Sequence, residues 1–259
     1  MRISIIIPAH NEEKRIKRTL LEYGRYFRVL KNKRLLDFEI IVVLNACTDN
    51  TLKEVQGVKK KFKEIKILNF KPGGKGFAII KGFNDALKRK NDLIGFVDAD
   101  MATKPKDFHD LIKGIKNSDG AIASRYVKGS KICPQQSLSR IIASRMFNFL
   151  IKIILFLNYK DTQCGAKIFK RAVIKSSMPK LNITKWAFDV NLLYVCKRNK
   201  FDIKELPTIW SDKEYSKLNL KDCGIQMFFS LVRLRLIYSP FKGIIRVYDN
   251  LTRFLGKSH

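Results

Sequence analysis

The chain has 259 residues, 46% apolar and 29% charged, with 52 Lys and Arg against 23 Asp and Glu for a formal net charge of +29. That composition supports a sizeable core and excludes a disordered basic tail, and 7 prolines and 14 glycines exclude collagen-like and low-complexity chains. The excess positive charge points to nucleic acid, an anionic membrane surface or phosphate-bearing ligands as partner classes, without choosing among them.

In chain order, short β-rich runs are expected at Ile3–Ile7, Glu39–Leu44, Ile65–Asn69, Leu93–Val97 and Ala121–Ser124. Helix-period stretches lie between them. Ile16, Leu20, Tyr23 and Phe27 fall on one helical face; Leu52, Val55 and Phe62 mark a second helix. Phe77, Ile80 and Leu87 mark a third, and Phe108, Leu111, Ile112 and Ile115 a fourth. This alternation implies right-handed βαβ units and a mainly parallel sheet. Arg140–Leu157 reads as a strongly apolar amphipathic helix with a polar stripe at Arg140, Ser144 and Asn148. Ile225–Val247 is a second such stretch, broken at Pro240. From Ile225 onward there are six Lys and Arg (Arg233, Arg235, Lys242, Arg246, Arg253, Lys257) against one acid, Asp249. Basic residues among Phe, Leu and Ile suit helices lying on anionic lipid. The expected division is a catalytic domain over 1–222 and a basic, membrane-proximal segment over 223–259. No uninterrupted apolar run reaches the roughly 18 residues of a membrane span. The N-terminal apolar run is too short for a signal peptide, so a cytoplasmic location is expected.

The polar motifs AHNEE, NACTDNT, KPGGKG and DADMAT each follow one of the first four strands. Open α/β sheets bind ligands at that carboxyl edge, where helix N-termini offer free N–H groups to phosphates. Asp98 and Asp100, at i and i+2, place two carboxylates on one side of an extended segment, a donor pair for Mg2+ or Mn2+. Lys75 sits in PGGKG, where glycines let backbone approach a phosphate; this is not a P-loop. Asn11 and Asp49 read equally well as helix caps. Asp189, among Trp186, Phe188 and Leu192, invites an ion pair or a functional role. Arg125, Arg140 and Lys217 are candidates for a second anionic group. His10 and His109 have no arrangement of a nucleophilic triad and are read as structural. The five cysteines form no CxxC pair and are read as reduced, partly buried thiols. No zinc, helix-turn-helix or RNA-recognition signature supports nucleic-acid binding.

In this order, IPAHNEE, the DAD triplet, ASR, DTQCGAKIFKR, WAFDV and a late SK pair resemble family 2 glycosyltransferases. The similarity is to the polyprenyl-phosphate branch, which holds dolichyl-phosphate β-glucosyltransferases and dolichyl-phosphate mannose synthases, and it spans roughly residues 1–240. DADMATKP, DTQCG and WAFDV favour the glucosyl type. The resemblance implies a GT-A fold, an α/β nucleotide-binding domain with helices on both faces of a mainly parallel sheet. It also implies a metal-dependent, inverting transfer of a hexose from UDP-glucose, or alternatively GDP-mannose, to a dolichyl or polyprenyl phosphate, with the protein peripheral on the cytoplasmic face of a membrane.

By position, Pro8, Ala9, Asn11, Glu12, Asn45 and Asp49 would hold the nucleoside, with Lys75 and Gly76 near the sugar nucleotide. Asp98, Ala99 and Asp100 would lie on the diphosphate and metal side. Arg125, Arg140, Ser144, Gln163 and Lys217 would serve the acceptor. Asp161, Gln163 and Gly165 would shape the sugar pocket, Asp189 matches the acid often assigned as general base, and Ser216 and Lys217 match a loop closing over the donor. The polar stripe of Arg140, Ser144 and Asn148 would face the lipid head group. The chain departs from the pattern after its second strand, where Asn45, Ala46, Cys47 and Thr48 replace an acid-rich Asp-Asp-Gly-Ser run. Asn191 stands where the glucosyl branch often has Glu, and Ala102 where the mannose branch has a glutamine.

Overall fold

In the computed structural model, residues 1–134, 138–181, 187–211, 220–240 and 242–245 are described. Strand β1 (Arg2–Ala9) pairs in parallel with β2 (Asp37–Asn45), and the side-chain period of two sorts their residues between the sheet faces. Ile3, Ile5, Ile7 and Ala9 stand beside Phe38, Ile40, Val42 and Leu44 on one face. Helices α1 (Ile16–Asn32), α2 (Thr51–Lys59) and α4 (Pro105–Gly114) contribute Leu20, Tyr23, Phe27, Val55, Val58, Phe108 and Leu111 to the same cluster. The face foreseen for the first helix, Ile16, Leu20, Tyr23 and Phe27, is fully buried. On the other face α3 (Lys75–Ala86) packs on β1 and β2. Phe83, Phe96 and Phe188 continue this layer to α7 (Phe188–Arg198), with ring centroids 6.2 and 6.3 Å apart.

The remaining strands are β3 (Ile65–Phe70), β4 (Leu93–Phe96), β5 (Gly120–Ser124), β7 (Lys167–Lys170) and β8 (Ile203–Pro207), and the sheet order is β3-β2-β1-β4-β7-β5-β8. Every pairing is parallel except those of β7, which runs antiparallel to both β4 and β5. All five expected strands are present. Neither β7 nor β8 was foreseen. KIFK is short and almost wholly buried, so it lacks a polar alternation, and IKELP mixes charges with a terminal proline. Because β7 is reversed, its amino end lies at the edge where β1, β4 and β5 finish, and the preceding DTQCG segment comes there too. Helix α6 (Arg171–Ser177) follows β7. A small parallel pair, β6 (Lys131–Cys133) with β9 (Ile209–Ser211), joins Trp210 to Thr103.

The chain divides into two compact units: residues 1–136 with 160–214, and residues 137–159 with 215–259. In the second, α5 (Leu138–Leu155) packs on α8 (Leu220–Ile237), which ends ahead of Pro240. So α5 groups with the C-terminal segment rather than with residues 1–136. Asn148 is buried on the same helical face as Ile151 and Leu155, while Ile142, Met146, Phe149 and Ile153 point outward. No described helix is long and apolar enough to cross a membrane.

One buried polar network sits beneath α3. Ser4 and Glu39 are neighbours in the β1–β2 register, and both are buried. Glu39 Oε1 accepts bonds from Ser4 Oγ (2.7 Å), Arg89 Nε (2.9 Å) and Asn91 Nδ2 (3.1 Å), and Lys66 Nζ lies 3.2 Å from Oε2. Burial pushes the Glu39 carboxyl up, but the bonds from Ser4 and Arg89 outweigh it and hold the pKa below its ordinary value. A depressed carboxylate stabilises the fold above its unfolded pKa, and that contribution is lost as pH falls through the folded value. Glu39→Gln is therefore expected to lower stability at neutral pH by about 3 kcal/mol. In urea titrations the gap to the parent should close in acid, as pH falls below the ordinary carboxylate range.

Candidate active site

Each loop at the carboxyl edge contains a residue in the left-handed region: Asn11 (φ 53°) after β1, Ala46 (φ 48°) after β2, Gly74 (φ 124°) after β3 and Met101 (φ 64°) after β4. For the non-glycine residues this costs on the order of 1–2 kcal/mol each, a strain typical of ligand-binding loops. The loops are bonded to one another. Asn11 Oδ1 accepts the Thr48 N–H (2.8 Å), the Glu12 N–H donates to Thr51 Oγ1 (2.7 Å), the Glu13 N–H to Asp49 Oδ2 (3.1 Å) and the Asn50 N–H to Glu13 Oε2 (3.0 Å). Asp49 Oδ1 also accepts the Thr51 N–H (3.0 Å), a turn bond just ahead of α2; the N-cap of that helix is Asn50, without a side-chain cap bond, so Asp49 is not its cap. Asn11 is no cap of α1; its side chain ties the first loop to the second. Asn45, buried, donates from Nδ2 to the Ala9 carbonyl (3.0 Å) and accepts the Gly74 N–H at Oδ1 (3.0 Å), so one amide braces three loops. His10 Nδ1 lies 2.8 Å from the Asn45 carbonyl oxygen.

The DAD loop is held from beneath by α1. Thr19 Oγ1 donates to the Ala99 carbonyl (2.6 Å), and Tyr23 Oη to that of Thr103 (2.9 Å). Asp100 Oδ1 accepts the Ala102 N–H (2.9 Å), fixing the turn. Lys75, at the first turn of α3, reaches across so that Nζ lies 2.7 Å from Asp98 Oδ1 and 3.8 Å from Asp189 Oδ2. Asp189 sits in the first turn of α7, where the helix dipole favours a carboxylate. Its Oδ1 accepts a bond from Lys167 Nζ (2.6 Å). Gly165 closes against the same group: a Cβ there would stand 1.8 Å from Asp98 Oδ2, so no other residue fits without displacing that carboxylate. Burial raises the Asp98 pKa; Lys75 opposes this, and Asp100 and Asp189 add to it. Burial also raises Glu12, opposed by its ion pair with Arg15 (2.6 Å) and reinforced by Asp100 and Asp98. For Lys75 burial disfavours the charge, but Asp98 and Asp189 prevail and hold it above the ordinary lysine value.

The other expected site residues fall as follows. Pro8 and Ala9 are buried at the end of β1, and Gly76 is buried in α3. Arg125 turns its fork onto fully buried Asp161, with Nε 2.7 Å from Oδ2 and Nη2 2.9 Å from Oδ1, and it lies 5.2 Å from the Trp210 ring. Both members of that pair thus brace the segment before β7 against the end of β5. Gln163 follows it, with a buried Nε2 that has no hydrogen-bond partner among the described residues. Arg140 and Ser144 lie on α5, in the second unit. Ser216 and Lys217 lie outside the described residues. Sequence reasoning missed Lys167, Thr19 and Tyr23. The available signal for Lys167 was a lysine inside an apolar strand, matched downstream by an aspartate inside an apolar helix. His109 packs on Tyr26 and Phe27. Burial pushes the Cys164 and Cys196 thiols up to about 12, so both are unreactive at neutral pH.

Among the described residues no three His, Cys, Asp or Glu side chains form a metal cage. The DAD loop instead offers two hard carboxylate donors, one of them already beside an ammonium. Such a set fits Mg2+ or Mn2+, which keep water and bind through one or two carboxylates plus substrate phosphates.

Comparison with known proteins identifies the frame. The family described as Glycosyl transferase family 2 matches residues 4–177. A dolichyl-phosphate beta-glucosyltransferase of Dictyostelium discoideum is 32% identical over 247 residues, covering 91% of this chain and 74% of its own length. The human protein of that name is also 32% identical over 247 residues, covering 91% and 75%. Among solved structures, glucosyl-3-phosphoglycerate synthase from Mycobacterium tuberculosis, in complex with Mn2+, UDP and phosphoglyceric acid, aligns with a TM-score of 0.64 at 17% identity, covering 90% of this chain and 77% of that one. That likeness is one of fold, and it is the GT-A fold that the resemblance to family 2 glycosyltransferases implied. The chain belongs to glycosyl transferase family 2.

Proposed function

We propose that this chain is an inverting transferase that moves glucose from UDP-glucose onto the phosphate of a dolichyl-type polyprenol. The observation that carries the reading is the meeting of Asp98, Asp100, Lys75 and Asp189 at one sheet edge. The names of the relatives over nine-tenths of the chain supply the donor sugar and acceptor class.

The acceptor phosphate, with a second pKa of about 6, is largely dianionic at neutral pH and needs no strong base. One of its oxygens attacks the anomeric carbon as the bond to the donor phosphate breaks in line. The sugar is inverted and UDP leaves with the electron pair. The braced loops after β1 and β2 hold the nucleoside, and Lys75 with the open first turn of α3 faces the diphosphate. A divalent cation held by Asp100 and Asp98 and completed by the diphosphate would neutralise charge on the leaving group. Asp189, fixed by Lys167, orients the sugar or the acceptor. Arg125 acts through the Asp161 brace, with Gln163 at the sugar pocket.

The second unit supplies the membrane contact in this reading. Ile142, Met146, Phe149 and Ile153, spaced i, i+4, i+7 and i+11, are each more than half exposed. Arg145 and Lys152 on the same helix are exposed, and α5 carries no acid. An outward apolar stripe flanked by cations suits an anionic bilayer surface, in this reading the cytoplasmic face.

Mass spectrometry of lipids after incubation with polyprenyl phosphate, UDP-glucose and GDP-mannose tests the reaction. A glucosyl phosphoryl lipid is expected, a mannosyl product alone would replace the donor assignment, and no lipid product would end the proposal. Asp100→Ala is expected to lower transfer by at least about 100-fold with the thermal midpoint unchanged. Chelation should abolish the parent's activity, and Mn2+ or Mg2+ should restore it. In flotation with anionic vesicles, the pair Met146→Glu and Phe149→Glu should weaken binding by about tenfold or more; parent-like flotation would remove α5 from the membrane contact.

A further inference from the structure

The charged groups at the edge form an alternating row: Lys167, Asp189, Lys75, Asp98. Successive N···O separations are 2.6, 3.8 and 2.7 Å. The row begins in the core. Lys167 is fully buried in β7, beside Phe96 in the β4 register, and its Nζ lies 5.4 Å from the centre of that ring. Its ammonium donates to the Asp189 carboxylate and to the Cys164 carbonyl (2.7 Å). A buried charge is expensive, and an apolar side chain of similar length would fill the same space at less cost. The two acceptors are informative. Cys164 precedes Gly165, whose backbone abuts Asp98, and Asp189 opens α7. Lys167 therefore ties together the two segments that flank the DAD loop, and it engages one oxygen of Asp189 while the other turns towards Lys75.

We infer that Lys167 is a positioning residue for the transfer: it holds Asp189 Oδ1 in the core so that only Oδ2 is presented at the sheet edge. This rests on the proposed glucosyl transfer. Lys167 touches no substrate; it sets the direction of a carboxylate that does. Freed from it, the Asp189 side chain can rotate, Lys75 loses its second acceptor, and the edge keeps its residues but not their alignment.

The test compares Lys167→Met, which keeps the stem and removes the ammonium, with Asp189→Asn and the double variant. For Lys167→Met, kcat should fall about 100-fold, as for a misplaced reacting group, with KM for UDP-glucose within about twofold of the parent. The double variant should turn over no more slowly than Asp189→Asn alone, and it should recover the thermal midpoint lost by Lys167→Met, because no unpaired buried charge remains. A parent-like kcat in folded Lys167→Met, or losses that multiply in the double variant, would overturn the inference. If Lys167→Met does not fold, the double variant against Asp189→Asn decides: equal kcat supports positioning and a lower kcat overturns it. If the parent transfers no glucose, the functional proposal fails, while additive thermal midpoints across the three variants would separately refute the Lys167–Asp189 coupling.

Discussion

The parallel registers of β1 with β2 and β4 and of β2 with β3 bring four polar loops to one edge, and the reversed β7 brings a fifth segment to meet them. A parallel strand in that position would enter the sheet from the opposite edge and carry Asp161–Gly165 away from Asp98. The antiparallel pairing of Phe96 with Lys167 therefore sets the distance between the DAD loop and the groups that face it. Gly165 records how close the approach is, since even a methyl group would collide with the Asp98 carboxylate.

Much of the polar chemistry at this edge holds the loops rather than a ligand. Asn45 spends both ends of its amide on backbone, Asp49 accepts from Glu13 and Thr51, and Arg125 is locked to Asp161. Loops that end buried strands carry N–H and C=O groups that water reaches poorly, and these must be paired within the protein. Bracing also maintains the left-handed residues at Asn11, Ala46 and Met101, which loose loops would relax. Strained loops fixed from several sides have little freedom left to lose when a ligand binds.

This division of labour explains what the sequence discloses. β1 and β2 are legible as unbroken runs of Ile, Val and Leu, the pattern of strands buried on both faces, and the motif positions follow from strand ends. The i, i+2 spacing of Asp98 and Asp100 is local and needs no fold. By contrast, Arg125 and Asp161 lie far apart in sequence, so each reads as an independent ligand candidate until the fold joins them. β7 is hidden because it is only four residues long and two of them are lysines, of which Lys167 argues against burial until Asp189 supplies the counter-charge. Asn148 shows a related limit: helical spacing identifies a stripe but not which side of the helix is buried.

The charge of the molecule is arranged against its own average. A chain of net charge +29 gathers Asp98, Asp100, Asp189 and Glu12 around Lys75, Lys167 and Arg15 at the edge. The raised values of Asp98 and Glu12 are caused first by burial, opposed by Lys75 and Arg15 and reinforced by the neighbouring carboxylates. A bare diphosphate would be repelled by that set, whereas a diphosphate carried with a divalent cation would complete it. Exposed basic groups also lie outside the site, as at Arg145 and Lys152 on α5. The cluster at the sheet edge, four carboxylates against three cations, is nearly balanced, so the excess positive charge of the chain lies outside it.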